Sequence, residues 1–506
     1  MPENQPPPLG AVIDIGSNAI RLRIGGLGHN GRLNLIESVR APVRLGQDVF
    51  QNGELSDATI DRTLKAFSDF RALIDQRAIP SAQVRAVATS AMREADNRQA
   101  LIEKVQRETG IPIEVISGEE EARLVYQAIQ HALPELAENN VLLIDIGGGS
   151  VEFVVLEKGE VAALESFKMG TVRLLSQFSG RDNKDFARIL DEFFDANAGK
   201  LRELIDGIDI QLSVGTGGNI ETLGQLGRAL LGNDSPKRLS YANLKALGKR
   251  LDELGYDQRV EQLRLRPDRA DVIIPACHTL RKSLKLVGKP DLSIPGIGLA
   301  EGTLLDLLRG RLTSATHDAL AWARAVARKY HCDMRYVEHI RRLALTLFDQ
   351  LATVHGLPAY DRLLLEMAAL IHEIGIFVRP DGHHRHAYYL IGAMPMLGIS
   401  AEEQKLLAVI VRAHRKKLPD TDSEALKNLD KGAQQRWLKL VALLRLAIAL
   451  NKERQNAVQQ IQCLCQDKQV EIACSGKGDF LLERWAVIRD REIIERGLDR
   501  TIEVVF

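Results

Sequence analysis

The sequence predicts an α/β protein with a duplicated, phosphate-gripping core, followed by an all-α domain and a small α/β C-terminal domain. Three observations predict it. The apolar run Leu142-Leu143-Ile144 delivers Asp145 into Gly147-Gly148-Gly149-Ser150, and a second run, Val151-Glu152-Phe153, leaves the turn. A related stretch stands near the N-terminus, where Ile13-Asp14-Ile15-Gly16-Ser17-Asn18 is followed by Ile20-Arg21-Leu22-Arg23-Ile24. Beyond residue 313 the alternation of strand and helix patterns gives way to long helical stripes.

Each of the first two stretches reads as strand, loop, strand. Glycine lets successive backbone N–H groups converge on an oxyanion with no Cβ in the way, and an adjacent aspartate can hold the water shell of a metal ion. One such hairpin is equally an ordinary tight β-turn. Two of them, with Asp14 matching Asp145 and Gly16 matching Gly147, point to a duplicated domain. A phosphate held in the cleft between the copies receives donors from both sides.

Between the hairpins, residues 58–76 carry a helical stripe of Ile60, Leu64, Phe67, Phe70, Leu73 and Ile74. Residues 84–89 read as a buried strand whose end offers Ser90 and Arg93, and residues 113–116 as another strand. Ser117 then serves as a helix N-cap with Glu120 three residues on, a capping box in which Glu119 and Glu120 complement the helix N-terminus. Glu121 differs from its neighbours. It shares a face with Leu124, Val125 and Ala128, so its carboxylate points inward, whereas Glu120 sides with Arg123 and Gln127. An inward carboxylate at a helix start suits general-base work on a water molecule, and its reference pKa of about 4.3 keeps it ionised at neutral pH.

The second lobe continues with a strand and turn over residues 212–219 that leads into a helix, and glycine at 215, 217 and 218 leaves backbone donors for a second phosphate, with Asn219 closing the turn. The domains run 9–131 and 132–314 for the two lobes, 315–456 for the helical domain and 457–506 for the C-terminal segment.

The motifs Ile13-Asp14-Ile15-Gly16-Ser17-Asn18, Thr89-Ser90-Ala91-Met92-Arg93, Ser117-Gly118-Glu119-Glu120-Glu121-Ala122-Arg123-Leu124 and Ile144-Asp145-Ile146-Gly147-Gly148-Gly149-Ser150, in this order, resemble the exopolyphosphatase and guanosine-pentaphosphate phosphohydrolase family. The hairpins also resemble those of the wider actin, Hsp70 and sugar-kinase (ribonuclease H-like) superfamily. The resemblance implies that Glu121 is the catalytic base and Arg93 a phosphate-binding arginine. It further implies that Lys200 and Arg269 contact polyphosphate, that Pro295-Gly296-Ile297-Gly298 is a family signature, and that the protein is a homodimer using Mg²⁺ with stimulation by K⁺.

Composition narrows the partners. Lys plus Arg and Asp plus Glu both number 67, so no global basic field recruits nucleic acid, and a polyanion must be held by local patches. Five cysteines, including Cys463-x-Cys465 but no Cys-x-x-Cys, argue against a disulfide framework and a zinc ribbon and for a reducing compartment. The proline-rich residues 2–8 lack the features of a signal peptide, and the most apolar stretch, 438–450, is interrupted by Lys439 and Arg445. A cytoplasmic protein without an integral membrane segment is expected.

In the helical tract, stripes fall at 319–327, 337–351, 363–374, 405–411 and 437–450, with His339, His372-Glu373, His383-His384-Arg385-His386 and His414 among them. These resemble the HD phosphohydrolase pattern. Glu373 stands where that pattern has aspartate and Asn451 where it ends in aspartate, so a degenerate, non-catalytic HD-like domain is expected. Its basic turns can bring positive charge to a polyphosphate path.

The expected function is an exopolyphosphatase removing the terminal phosphate of inorganic polyphosphate. The amides of Gly147, Gly148, Gly149 and Ser150 on one side and Gly16, Ser17 and Asn18 on the other position the phosphoryl group, with Gly217, Gly218 and Asn219 beside them. Arg93 offsets its charge, Mg²⁺ sits near Asp145 and Asp14, and Glu121 takes the proton from water. The alternative is guanosine pentaphosphate (pppGpp) 5′-phosphohydrolase activity. More distant readings are an ATPase or kinase of the same fold and a non-enzymatic sensor of a nucleotide such as ppGpp.

Overall fold

The computed structural model describes residues 9–28, 31–178, 183–288, 291–309, 311–394, 396–419, 426–427 and 431–506. The proline-rich stretch 2–8 lies outside them. The chain separates into two compact units, Met1–Ser314 and Ala315–Phe506.

The first unit holds two sheets. Strands β1 (Gly10–Ile15), β2 (Ile20–Leu27), β3 (Leu33–Ala41), β4 (Val84–Ala88) and β5 (Ile113–Val115) are ordered β3-β2-β1-β4-β5. The second sheet comprises β6 (Val141–Ile146), β7 (Val151–Glu157), β8 (Glu160–Phe167), β9 (Leu212–Thr216), β10 (Arg238–Ser240) and β11 (Asp291–Ser293), in the order β10-β11-β9-β6-β7-β8. Read from the hairpin edge, β8-β7-β6-β9-β11 repeats β3-β2-β1-β4-β5. In both, the first three strands are antiparallel and the next two parallel. The duplication suggested by two short motifs therefore extends through whole sheets. β1 and β6 are buried along their full length, because each lies at the centre of its sheet with neighbours on both edges.

Helix Gly118–Ala132 is joined to helix Leu299–Arg309 by close backbone approach and charge. Gly302 lies against the Leu124 carbonyl with no room for a Cβ. Arg123, 1% exposed, bonds Asp306 at 3.0 Å, and Arg85 from β4 reaches the other oxygen of Asp306 at 2.8 Å. Arg123 also pairs with Glu120 and Arg85 with Glu114, so the two guanidiniums that share Asp306 are each compensated, the condition for such a network to persist away from water. The capping box is only half formed. The Ser117 hydroxyl accepts from the Glu120 amide at 3.2 Å, but the Glu120 carboxylate turns to Arg123 at 2.7 and 2.9 Å, a stronger charge-assisted partner than a backbone amide.

The second unit carries the five helical stripes on helices Arg311–Lys329, Met334–Gln350, Asp361–Ile371, Ala401–Arg412 and Lys431–Ala449. A small sheet of β12 (Val458–Cys465), β13 (Gln469–Gly476) and β14 (Thr501–Val505) follows, with helix Leu481–Leu498 between its last two strands. His383 and His414 stack with ring centroids 5.2 Å apart, and His372 meets His414 edge-on at the same separation. His339 points elsewhere, its Nδ1 3.0 Å from Arg342. Glu373 is clasped by Arg454 at 2.6 and 2.9 Å, and Asn451 closes a local turn with Asn456. Among the described residues, no helix is long and apolar enough to cross a membrane.

Candidate active site

The two hairpins close on one cleft of about 170 Å³ in the first unit, lined by Asp14, Gly16, Ser17, Asn18, Gly147 and Gly148, with Gly217, Gly218, Asn219 and Arg269 completing one side and Glu121 another. The jaws touch. A Cβ on Gly148 would stand 2.9 Å from Ser17 Cβ and 3.4 Å from the Asn18 amide nitrogen, so only glycine allows this approach.

The orientation of the triple-glycine loop follows from its carbonyls. Gly147, Gly148 and Gly149 accept from Thr171, Val172 and Gly170 amides at 3.1, 2.8 and 3.2 Å, and Arg173 Nε donates to Gly149 at 2.7 Å. In a trans peptide the N–H points opposite to the C=O, so the amides of Gly148, Gly149 and Ser150 face away from the helix Thr171–Phe178 that holds those carbonyls. Gly149 and Ser150 do not themselves line the cleft; Gly149 packs beside Ser90 and Phe50.

Register explains which side chains flank each turn. Asp14 pairs with Arg21 across the first hairpin and Asp145 with Glu152 across the second. The Asp14 carboxylate bonds Arg21 Nη1 at 3.1 Å, while Asp145 accepts from Thr216 Oγ1 at 2.7 Å. Equivalent positions thus carry a cation in one lobe and a carboxylate in the other.

Glu121 points inward, 6% exposed, as helical periodicity requires. One atom each from Glu121, Asp145 and Glu152 lie within 4.8 Å of one another. Glu152 is fully buried; Ser166 donates to one oxygen at 2.9 Å, and Oε2 has no hydrogen-bond partner among the described residues. Burial, and then the charge of neighbouring carboxylates, pushes all three carboxyls up: Glu121 to about 7 beside Asp145 and Asp14, Asp145 to about 6 beside Asp14 and Glu221, and Glu152 well above the usual range beside Glu121 and Asp145. Glu121 is therefore not an ordinary ionised glutamate, since desolvation outweighs the opposing charge of Arg93. Three buried oxygen donors with one unpartnered oxygen form a site suited to a hard divalent cation.

Three further expected site residues are placed as follows. Asp14 lines the cleft outside the trio of Glu121, Asp145 and Glu152, and its carboxylate is bonded to Arg21 at 3.1 Å. Arg93 does not line the cleft; its Nη1 donates to Glu121 at 3.1 Å and to the Ile116 carbonyl at 2.8 Å, so it orients the base. Lys200 is exposed on helix Asn183–Ile205 and is not a wall of the cleft, because that helix packs its apolar stripe on the second lobe and turns its charges to solvent.

Among the described residues, three cations line the cleft: Arg23, which is paired with Glu301 at 2.8 Å, and Arg21 and Arg269. A Cβ on Gly218 would lie 2.8 Å from Arg269 Nη2 and 3.3 Å from Arg21 Nη2, so both guanidiniums crowd the bare backbone at the start of helix Gly218–Leu231. Arg269 also donates to Asn219, whose amide donates to Thr171 at 3.1 Å. Burial and the nearby charge of Arg21 push the Arg269 guanidinium down to about 10. Two like charges, buried Arg269 and half-buried Arg21, converging on a helix N-terminus are stabilised by an anion. Sequence reasoning missed Arg21 and Glu152, although the symmetric register across each short turn places both opposite the aspartates it had singled out.

Comparison with known proteins follows this geometry. A model of the Ppx/GppA phosphatase family matches residues 27–310, and one of Ppx/GppA phosphatase domain III matches residues 321–490. A protein of Vibrio vulnificus named guanosine-5′-triphosphate,3′-diphosphate pyrophosphatase is 27% identical over 482 residues, covering 94% of this chain and 91% of its own. A protein of the same name from Aeromonas hydrophila is 28% identical, with 88% of each chain covered. Among solved structures, an exopolyphosphatase from Cytophaga hutchinsonii matches with a TM-score of 0.56 and 29% identity over 60% of this chain and 98% of its own. A Ppx/GppA family member from Aquifex aeolicus gives 0.52 and 30%, covering 60% and 99%.

Proposed function

This chain belongs to the Ppx/GppA phosphatase family, and from that premise we propose that it is a hydrolase of phosphoric anhydrides, removing the terminal phosphate of inorganic polyphosphate. The observation that carries the reading is a carboxylate poised near neutrality, Glu121, on the open flank of two glycine turns that meet across a small cleft. At about 170 Å³ the cleft is smaller than the roughly 300–1,000 Å³ that encloses a drug-sized ligand, so it suits the end of a linear anion.

In the proposed step the terminal phosphoryl group is held by loop amides, with Arg21 and Arg269 bearing on its oxygens. Glu121, oriented by Arg93, accepts a proton from water as the water oxygen bonds phosphorus and the anhydride P–O bond breaks. The leaving phosphate carries away the electron pair. A base whose pKa lies near the operating pH combines availability with proton affinity. We assign Mg²⁺ to Glu121, Asp145 and Glu152, where it would offset negative charge during transfer.

A second reading is supported to the same degree: hydrolysis of the 5′-terminal phosphate of pppGpp at the same cleft. Relatives named for that nucleotide align along 94% of this chain, whereas the structures named exopolyphosphatase align along 60%. Phosphate release from both substrates by one purified sample decides between them. A kcat/KM at least about tenfold higher on polyphosphate supports the first reading, and the reverse ratio establishes the second. The same assay, with and without K⁺, tests the expected stimulation, and light scattering tests the expected homodimer. We read the second unit as an HD-like helical domain that has lost metal chemistry, because Glu373 is neutralised by Arg454 and Asn451 is engaged with Asn456.

A further inference from the structure

The second unit contains a cavity of about 680 Å³, four times the volume of the catalytic cleft and within the range that encloses a nucleotide-sized ligand. Six basic side chains line it: Arg415, Lys416, Arg445, Lys452, Arg454 and Arg489. Only two carboxylates face them. Glu373 is held by Arg454, and Asp490 is shared between Arg445 at 3.4 Å and Arg489 at 2.7 Å. Four positive charges are left in excess, and no carboxylate partner is found for Arg415, Lys416 or Lys452 among the described residues.

The remaining polar groups point the same way. Arg415 Nη1 lies 2.9 Å from His383 Nδ1, so its charge rests against a neutral ring. His372, 1% exposed, donates through Nδ1 to the Ala369 carbonyl at 2.8 Å, while its Nε2, on the wall of the cavity, has no partner. Glu373 is committed to a bidentate guanidinium, which removes the carboxylate best placed to hold a cation beside these histidines. Interspersed with the charges, Ile376, Ile448, Ile493 and Pro380 supply the apolar part of the wall, and Tyr336 lies under Arg454 at 3.7 Å. Burial and the nearby charges of Arg489 and Arg415 push the Lys452 ammonium below its ordinary range, as expected where cations crowd without counter-charge.

We propose that this cavity is a second ligand site, distinct from the catalytic cleft, that binds an organic di- or polyphosphate: its pyrophosphate group on Arg415, Lys416 and Lys452, its apolar portion against the isoleucine wall. Phosphate groups match the donor-rich, acceptor-poor lining. The apolar wall favours an ester over a bare inorganic chain.

The test uses the full chain and two hydrolysis-resistant probes, methylenediphosphonate and its guanosine 5′-ester, with binding read by hydrogen exchange resolved along the sequence. The expected result is saturable protection of residues 372–384, 412–417 and 445–454 in addition to any protection of residues 14–21 and 145–150. The guanosine ester should bind more tightly than the bare diphosphonate; equal affinities would assign the site to the pyrophosphate group alone, with an inorganic chain as an equally good source. Lys416→Glu and Lys452→Glu, at side chains without a carboxylate partner, should each weaken the second-unit protection by about tenfold or more and leave that of the first unit unchanged. Protection confined to the first unit, or either variant binding like the parent while melting at the same temperature, would overturn the proposal.

Discussion

Replacing Glu121 by glutamine isolates the proposed base. Glutamine keeps the side-chain length and an oxygen for the Arg93 guanidinium, now 3.1 Å from the carboxylate, so the helix start and its partner stay in register. What is lost is a proton acceptor together with one anionic oxygen of the assigned Mg²⁺ site, so activity is read at saturating Mg²⁺. General-base catalysis is worth about 10²–10⁴-fold, so kcat should fall by that factor, about 3–5 kcal/mol in activation free energy, with little change in substrate affinity. Stability should move the other way. Glu121 is one of three buried carboxyls that repel one another, and a neutral amide relieves that repulsion, so Tm should be unchanged or raised. The adjacent Glu120→Gln supplies the contrast, since its carboxylate bonds Arg123 rather than facing the cleft. It should lower Tm and leave kcat within about threefold. Phosphate release under saturating substrate and Mg²⁺, with calorimetry on the same variants in chelator, reads both quantities. The reasoning fails if Glu121→Gln retains kcat within about tenfold of the parent, or if Glu120→Gln costs more activity than Glu121→Gln.

Other outcomes follow from the same geometry. Because Glu121, Asp145 and Glu152 have raised folded-state pKa values, the folded protein binds more protons than the unfolded chain above the ordinary carboxyl range. In chelator their contribution to stability is therefore full at low pH and lost as pH rises, for Asp145 and Glu121 through about 6–7, and Glu152→Gln should flatten that dependence in melts between about pH 5.5 and pH 8. Added Mg²⁺ should restore stability at the upper end and shift the acidic limb of kcat/KM to lower pH, because cation and proton compete for the same oxygens. Gly148→Ala forces the jaws apart by placing a Cβ 2.9 Å from Ser17 Cβ; kcat/KM should drop by about tenfold or more with a stability cost of about 1–3 kcal/mol, measured by denaturant titration. Arg123→Met removes one of the two guanidiniums that hold the buried Asp306 carboxylate and should destabilise the first unit by about 3–5 kcal/mol in the same titration.

Much of this was legible in the chain. Two short hairpin motifs announced a duplication that the sheets repeat strand for strand, because a central strand buried on both faces must be apolar throughout and must end in a turn that breaks the run. The inward turn of Glu121 was likewise readable from helical period, which fixes the face a side chain occupies once the helix is known. Glu152 and Arg21 were one step further away: they needed the register of each hairpin, which its turn length sets.

Other features arise only when distant segments meet. Periodicity gives the direction of Glu121 but neither its depth of burial nor the company of Asp145, and it is burial first and that neighbouring charge second that lift its pKa to about 7. Arg93 looked like a ligand contact because it stands at a strand end, yet it spends its donor on Glu121, while Arg269, from a helix 250 residues along from Asn18's turn, enters the cleft beside Arg21. The histidines of the second unit carried the outline of a metal site in sequence; Arg454 and the unpaired lysines, joining them from other helices and turns, give the cavity an excess of positive charge. Sequence alone determined which residues face inward, since that depends on local period. Tertiary structure decided what each meets there, because charge, burial and partner belong to the assembled site.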